Sequence, residues 1–87
     1  MSTLKMSDLI REFVRRNYIE PARKAGQQQV VVRAGDVHSQ LKLVSEMPHV
    51  CSALGANKFA TFAGVKLLDR DGPHQGANMR FTFEVLP

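Results

Sequence analysis

Three histidines and one cysteine carry the most distinctive chemistry in the chain: His38, His49, His74 and Cys51. Those residue types could ligate a zinc ion, or pair a thiol nucleophile with an imidazole base. Their spacing supports neither use. His49 and Cys51 are two positions apart, which on a helix turns them ~200° away from each other, and no CxxC or HxxxH pair occurs. The lone cysteine has no partner for an internal disulfide and is expected to fill core volume as a small hydrophobe. A chain of 87 residues builds one small domain, with too little interior for a catalytic pocket beside a core. No enzyme activity, metal or cofactor is therefore expected. GPHQGAN, 72–78, has glycines without a following Gly-Lys-Ser/Thr and is not a phosphate-cradling loop.

Recognition of a polyanion is the other chemistry available. Twelve Lys and Arg against eight Asp and Glu leave a formal charge of +4. Lys5, Arg11, Arg15, Arg16, Arg23, Lys24 and Arg33 crowd the first third of the chain, opposed by Asp8, Glu12 and Glu20. That crowd reads either as a solvated helix face or as an electrostatic footprint. The stretch DRDGPHQGAN, 69–78, is about twice as long as an ordinary hairpin loop. It is a slack surface loop or a projecting device, with Arg70, His74, Gln75 and Asn78 as donors and Gly72 and Gly76 permitting unusual dihedrals. Asp69 and Asp71 would repel a phosphate there; an ion pair with Arg70 or a turn-capping role suits them better. No apolar run approaches the ~18 residues of a membrane span, and MSTLKM lacks the core of a signal peptide, so a cytoplasmic protein is expected.

These residues need elements to hold them. Leu9, Ile10, Phe13, Val14 and Tyr18 recur at helical spacing while Arg11, Arg15 and Arg16 fall elsewhere, predicting an amphipathic first helix capped by Ser7, with residues 1–6 as a flexible tail. Pro21 ends or bends it, and Gly26 closes any further turn. QQQVVVR, 27–33, reads as a short strand, and Asp36 as the cap of a two-turn second helix from Val37 to Leu43. Pro48 opens a third helix with Val50, Cys51 and Leu54 inward. Kinked near Gly55, that helix continues from an Asn57 cap through Phe59 and Phe62 to Gly64. VKLLD and MRFTFEV then form two antiparallel strands, with Met79, Phe81, Phe83 and Val85 on the buried face and Arg80, Thr82 and Glu84 outward. The phenylalanines serve packing rather than base stacking.

Helix, strand, helix, helix, strand, long loop, strand: in that order the elements resemble a winged helix-turn-helix domain. The likeness covers residues 7–87 as a single domain and is carried by VRAGDVHSQL, MPHVCSAL and GVKLLDRDGPHQGANMRFTFEV. The same blocks resemble small prokaryotic proteins. The resemblance implies an α+β fold of three helices, a short strand and a two-stranded C-terminal hairpin, the wing. It implies a DNA-binding protein, a transcriptional regulator or accessory DNA-binding factor, whose third helix enters the major groove while the wing at 69–78 reaches backbone or minor groove. Carried onto this sequence, the outward helix positions are His49, Ser52, Ala53, Ala56, Asn57 and Lys58, and the wing donors are Arg70, His74, Gln75, Asn78 and Arg80. Arg33, Lys42, Lys58, Arg70 and Arg80 would meet phosphates. The third helix has no arginine to fork onto guanine. A homodimer through the first helix would lengthen the site read. The alternative is a protein-interaction module on the same scaffold, docking a partner through the wing or the first helix.

Overall fold

Met6 is already helical. The computed structural model of the chain describes residues 5–72 and 76–87. Helix α1 (Met6–Val14) has Lys5, not Ser7, in the N-cap position, and no side chain caps it. Met6 packs against the core, so the expected tail loses its last residue; residues 1–4 lie outside the described part.

Pro21 neither ends nor breaks the helix. α1 runs without interruption into a π-helical turn, Arg15–Ile19, and on into α2 (Glu20–Lys24), where the proline sits in the first turn. Glu20 N–H reaches back five residues to the Arg15 carbonyl, and this widened turn makes room for a ring that a regular ladder would reject. Gly26, at φ +75, ends the body as expected: its N–H bonds to the Arg23 carbonyl and the Gln27 N–H to that of Ala22.

Strand β1 (Gln29–Arg33) turns Val32 into the core and Val31 out. Helix α3 (Ala34–Gln40) follows directly, displaced three residues towards the N-terminus from the predicted start. The physical reason is tertiary. Ala34 and Gly35 donate to the carbonyls of Met79 and Ala77, which satisfies first-turn amides that an Asp36 cap would have served. α3 ends on Lys42 in the left-handed region (φ 55), with Lys42 N–H on Ser39 O and Leu43 N–H on His38 O.

The predicted third helix is two helices. α4 (Met47–Gly55) carries Pro48 in its first turn and buries Val50, Cys51, Ala53 and Leu54. Ala56 is extended, and α5 (Asn57–Ala63) starts afresh, with Asn57 inside the helix rather than capping it. On one straight helix Phe59 would point ~140° from Leu54. The break re-aims it into the core, where its ring lies 5.2 Å from that of Phe83.

Strands β2 (Val65–Asp71) and β3 (Arg80–Val85) complete an antiparallel three-stranded sheet of order β1-β3-β2. Met79, Phe81 and Phe83 are buried as predicted, against Ile10, Val14, Ile19, Leu54 and Phe59. Asp69, Arg70 and Asp71 belong to β2, paired with Thr82, Phe81 and Arg80, so the loop is 72–79 rather than 69–78. The domain is α+β, with helices on one face of the sheet, and the predicted pair of strands gains β1 as a third.

Candidate nucleic-acid interface

α4 has a buried stripe, and the residues between its members are displayed. His49 and Ser52, one turn apart, are exposed on one face. His49 Nδ1 lies 3.0 Å from a Glu46 carboxylate oxygen. Ala53, expected outward, is 1% exposed and belongs to the core, because α3 and α1 both pack on α4 and widen its apolar stripe.

Arg70 ties the hairpin to this helix. Its Nη2 donates to the Gly55 carbonyl at 3.3 Å, and its guanidinium carbon lies 5.9 Å from the centre of the Phe81 ring. α4 has no basic residue in its last turn, so the cation from β2 supplies the charge that a helix C-terminus favours. An alanine at position 55 would bring its Cβ to 2.8 Å from Nη2, so glycine is what allows the seat. Beneath it, burial pushes the Cys51 thiol up from its ordinary range, against the opposing pull of Arg70.

Asp69 and Asp71 lie away from this surface. The ladder sets them opposite Thr82 and Arg80, whose side chains occupy the outer sheet face, while Arg70 shares the inner face with Phe81. Among the described residues neither aspartate pairs with Arg70; Asp71 stands across from Arg80 instead. Arg80 is thus exposed on the sheet face opposite α4.

Arg33 and Asn78 are brought together and largely consumed by each other. Arg33 Nε and Nη2 donate to Asn78 Oδ1 at 3.3 and 2.8 Å, and Nη1 donates to Asp36 at 2.7 Å. With Gly35 N–H on Ala77 O and Met79 N–H on Gly76 O, the returning limb of the loop is pinned against the start of α3. His74 and Gln75 fall outside the described residues. Lys42 is exposed in the turn joining α3 to α4. Asn57 and Lys58 are exposed on α5, and Lys58 Nζ lies 3.8 Å from Asp8 on α1, apart from the α4 surface.

The basic crowd of the first helical body is met by its own acids. Arg11 pairs with Asp8 at 3.0 Å, Arg15 with Glu12 at 2.8 Å, and Arg23 with Glu20 at 2.6 Å. The hydrogen bond from Arg15 holds the Glu12 carboxyl below its ordinary range. Each pair has i,i+3 spacing visible in the sequence, which favours the solvated-face reading of this segment. Arg23 also donates to the carbonyls of Ala63, Gly64 and Leu86, an anchor between chain ends that no local pattern signals.

One contact that sequence reasoning missed shapes the helix pair itself. His38 Nε2 accepts the Glu46 N–H at 3.2 Å, fastening the end of α3 to the start of α4. Among the described residues no group of three or more His, Cys, Asp or Glu side chains is arranged to hold a metal ion, and no helix is long and apolar enough to cross a membrane. Comparison of the chain with protein-family models, curated proteins and solved structures finds no match.

Proposed function

We propose that the chain is a winged helix-turn-helix domain that binds double-stranded DNA through α4 and the β2–β3 hairpin, acting in transcriptional regulation or as an accessory DNA-binding factor. One observation carries the reading. Arg70 of the hairpin is seated on the C-terminal carbonyl of a helix whose outward residues, His49 and Ser52, are free of the core, so helix and hairpin form one surface with a cation at their junction. The strand order β1-β3-β2 and the α3–turn–α4 pair are in keeping with it.

On this reading α4 lies in the major groove. His49 and Ser52 hydrogen bond to base edges, and Arg70 and Lys42 neutralise phosphates on either side. Without an arginine on α4, sequence preference is modest and the backbone dominates affinity. The acids of β2 do not oppose this, since they face away with Arg80.

Titrating the protein with a random duplex at low salt tests it, with amide shifts reporting location. Perturbation at Lys42, His49, Ser52 and Arg70 is expected. An absence of binding at about 50 mM salt, where the electrostatic contribution to affinity is still large, removes the proposal. A protein partner is the second reading. It is favoured by a groove of about 320 Å³ between α1 and α5, lined by Asp8, Arg11, Glu12, Lys58 and a Phe62 that is 49% exposed. Shifts confined to those residues on adding a partner, with none on adding DNA, would select it.

A further inference from the structure

The two edges of the sheet are built differently. β2 is interrupted by a bulge between Leu67 and Asp69 and carries Lys66, Asp69, Arg70 and Asp71. Bulges and charges are the devices that keep an edge strand from recruiting another strand. β1 is the other edge, and its register with β3 is unbroken. From Gln29 to Val32 it has no charge, no proline and no bulge.

The ladder determines what this edge offers. Val85 N–H bonds to the Gln28 carbonyl and Ala34 N–H to the Met79 carbonyl. The amides of antiparallel strands alternate in direction, so Gln28, Val30 and Val32 turn theirs to β3 while Gln29, Val31 and Arg33 turn theirs to the open side. The Arg33 carbonyl, in the N-cap position, goes to α3. Left on the edge are the N–H and C=O of Gln29 and Val31 and the N–H of Arg33. Beside them the Val31 side chain is 52% exposed on the outer face.

The geometry points to a second copy of this chain as the occupant, docked β1 to β1 in antiparallel sense about a two-fold axis at Val31. In that register each Val31 exchanges N–H···O=C bonds with its counterpart, and each Arg33 N–H donates to the Gln29 carbonyl of the other copy. The side chains match as well as the main chain does. Val31 packs on Val31 on the outer face, and the half-buried Val30 packs beside Val32 of the other copy on the inner face. Arg33 lies across from Gln29, whose own neighbour on β3 is Glu84, so no like charges are set opposite each other at the seam. This self-complementarity selects a copy of the chain over a foreign strand. The closed two-fold pairing also covers the one edge that lacks other protection. On the first helix Ile10, Val14 and Ile19 are buried within the domain, while Leu9 is 41% exposed.

Association is measured without DNA, so it stands or falls separately from the proposed function. In sedimentation equilibrium the mass of the wild-type protein is expected to rise from 9.7 kDa towards twice that value as concentration increases from micromolar to millimolar. Val31→Lys places like charges on the axis, and Val31→Pro removes an N–H that the internal ladder does not use. Both are expected to remain monomeric with unchanged circular dichroism. Exchange of the Val31 and Arg33 amides is expected to slow with concentration in the wild-type protein alone. A wild-type protein that is monomeric throughout overturns the proposal and leaves the edge to a foreign strand. So does a dimer that persists in both variants, or one in which the Val31 amide exchanges at its monomer rate.

Discussion

Replacing Arg70 by alanine separates a phosphate contact from a structural one. In the fold, Arg70 contributes a 3.3 Å hydrogen bond to the Gly55 carbonyl and a guanidinium 5.9 Å from the Phe81 ring, both at the surface. Each such interaction is worth about 0.5 kcal/mol when exposed, so Arg70→Ala lowers stability by about 1 kcal/mol and leaves the domain folded. On DNA the effect is of a different kind. One neutralised phosphate contributes a slope of about 0.9 to the dependence of log affinity on log salt, so the variant binds about fifteenfold more weakly at 50 mM salt and about fourfold at 200 mM.

Fluorescence anisotropy with a random duplex across that salt range reads both the loss and the slope. Gly55→Ala is the companion variant. Its Cβ would stand 2.8 Å from Nη2 and 3.2 Å from Cζ of Arg70, so the guanidinium gives way because it is the end of a flexible side chain. The charge stays and the seat is lost, while the better helix former offsets part of the lost contact. This variant is expected to keep the wild-type slope with a smaller loss of affinity. An Arg70→Ala protein whose affinity falls equally at every salt concentration would show that Arg70 acts only through the fold. Wild-type binding by both variants would remove Arg70 from the interface.

Lys42→Gly relieves a left-handed backbone at φ 55. After the added entropy of glycine in the unfolded chain, stability is expected to rise by about 0.5 to 1 kcal/mol in urea denaturation. The salt slope should drop by roughly 0.9 for the lost cation, so stability and DNA affinity move in opposite directions. His38→Ala leaves the Glu46 N–H without its acceptor and is expected to cost about 1 to 2 kcal/mol, seen as a lower thermal midpoint with unchanged far-ultraviolet circular dichroism. Burial pushes the Cys51 thiol up, so the folded protein retains a proton that the unfolded chain releases above about pH 8.5. The stabilisation is whole below that pH and is lost as pH rises through the raised value. Alkylation at pH 8 should be slow until urea is added, and rapid modification of the native protein would contradict the buried placement.

Burial of apolar side chains leaves a periodic record in the chain, and that record was legible. The alternation of Met79, Phe81 and Phe83 with Arg80 and Thr82, the stripe of Val50, Cys51 and Leu54, the first-turn position of Pro48 and the closure at Gly26 all stand in the structure as the sequence implies. Each depends on neighbours within a few positions, where a side chain's face follows from helix or strand geometry alone. The exposure of His49 is legible for the same reason, whereas that of Ser52 was decided by the packing of α4.

What the sequence could not show is where polar groups find partners across the chain. The start of α3 moved because Ala34 and Gly35 bond to carbonyls beyond the hairpin loop, and Arg33 was claimed by Asn78, 45 positions away. Pro21 was admitted by a π-helical turn that no local propensity announces, and the break at Ala56 arose because Phe59 had to meet Phe83. Arg70 found the end of α4 only because β2 extends through Asp71 and a bulge turns it to the inner face. The sequence by itself determined the order of the elements and the core residues whose burial follows from local periodicity, since that much of apolar burial is written locally, whereas Ala53 joined the core only through the packing of α1 and α3 on α4. Tertiary structure alone decided which cations remain at the surface of α4, because a hydrogen-bond partner is chosen by distance in space and not along the chain.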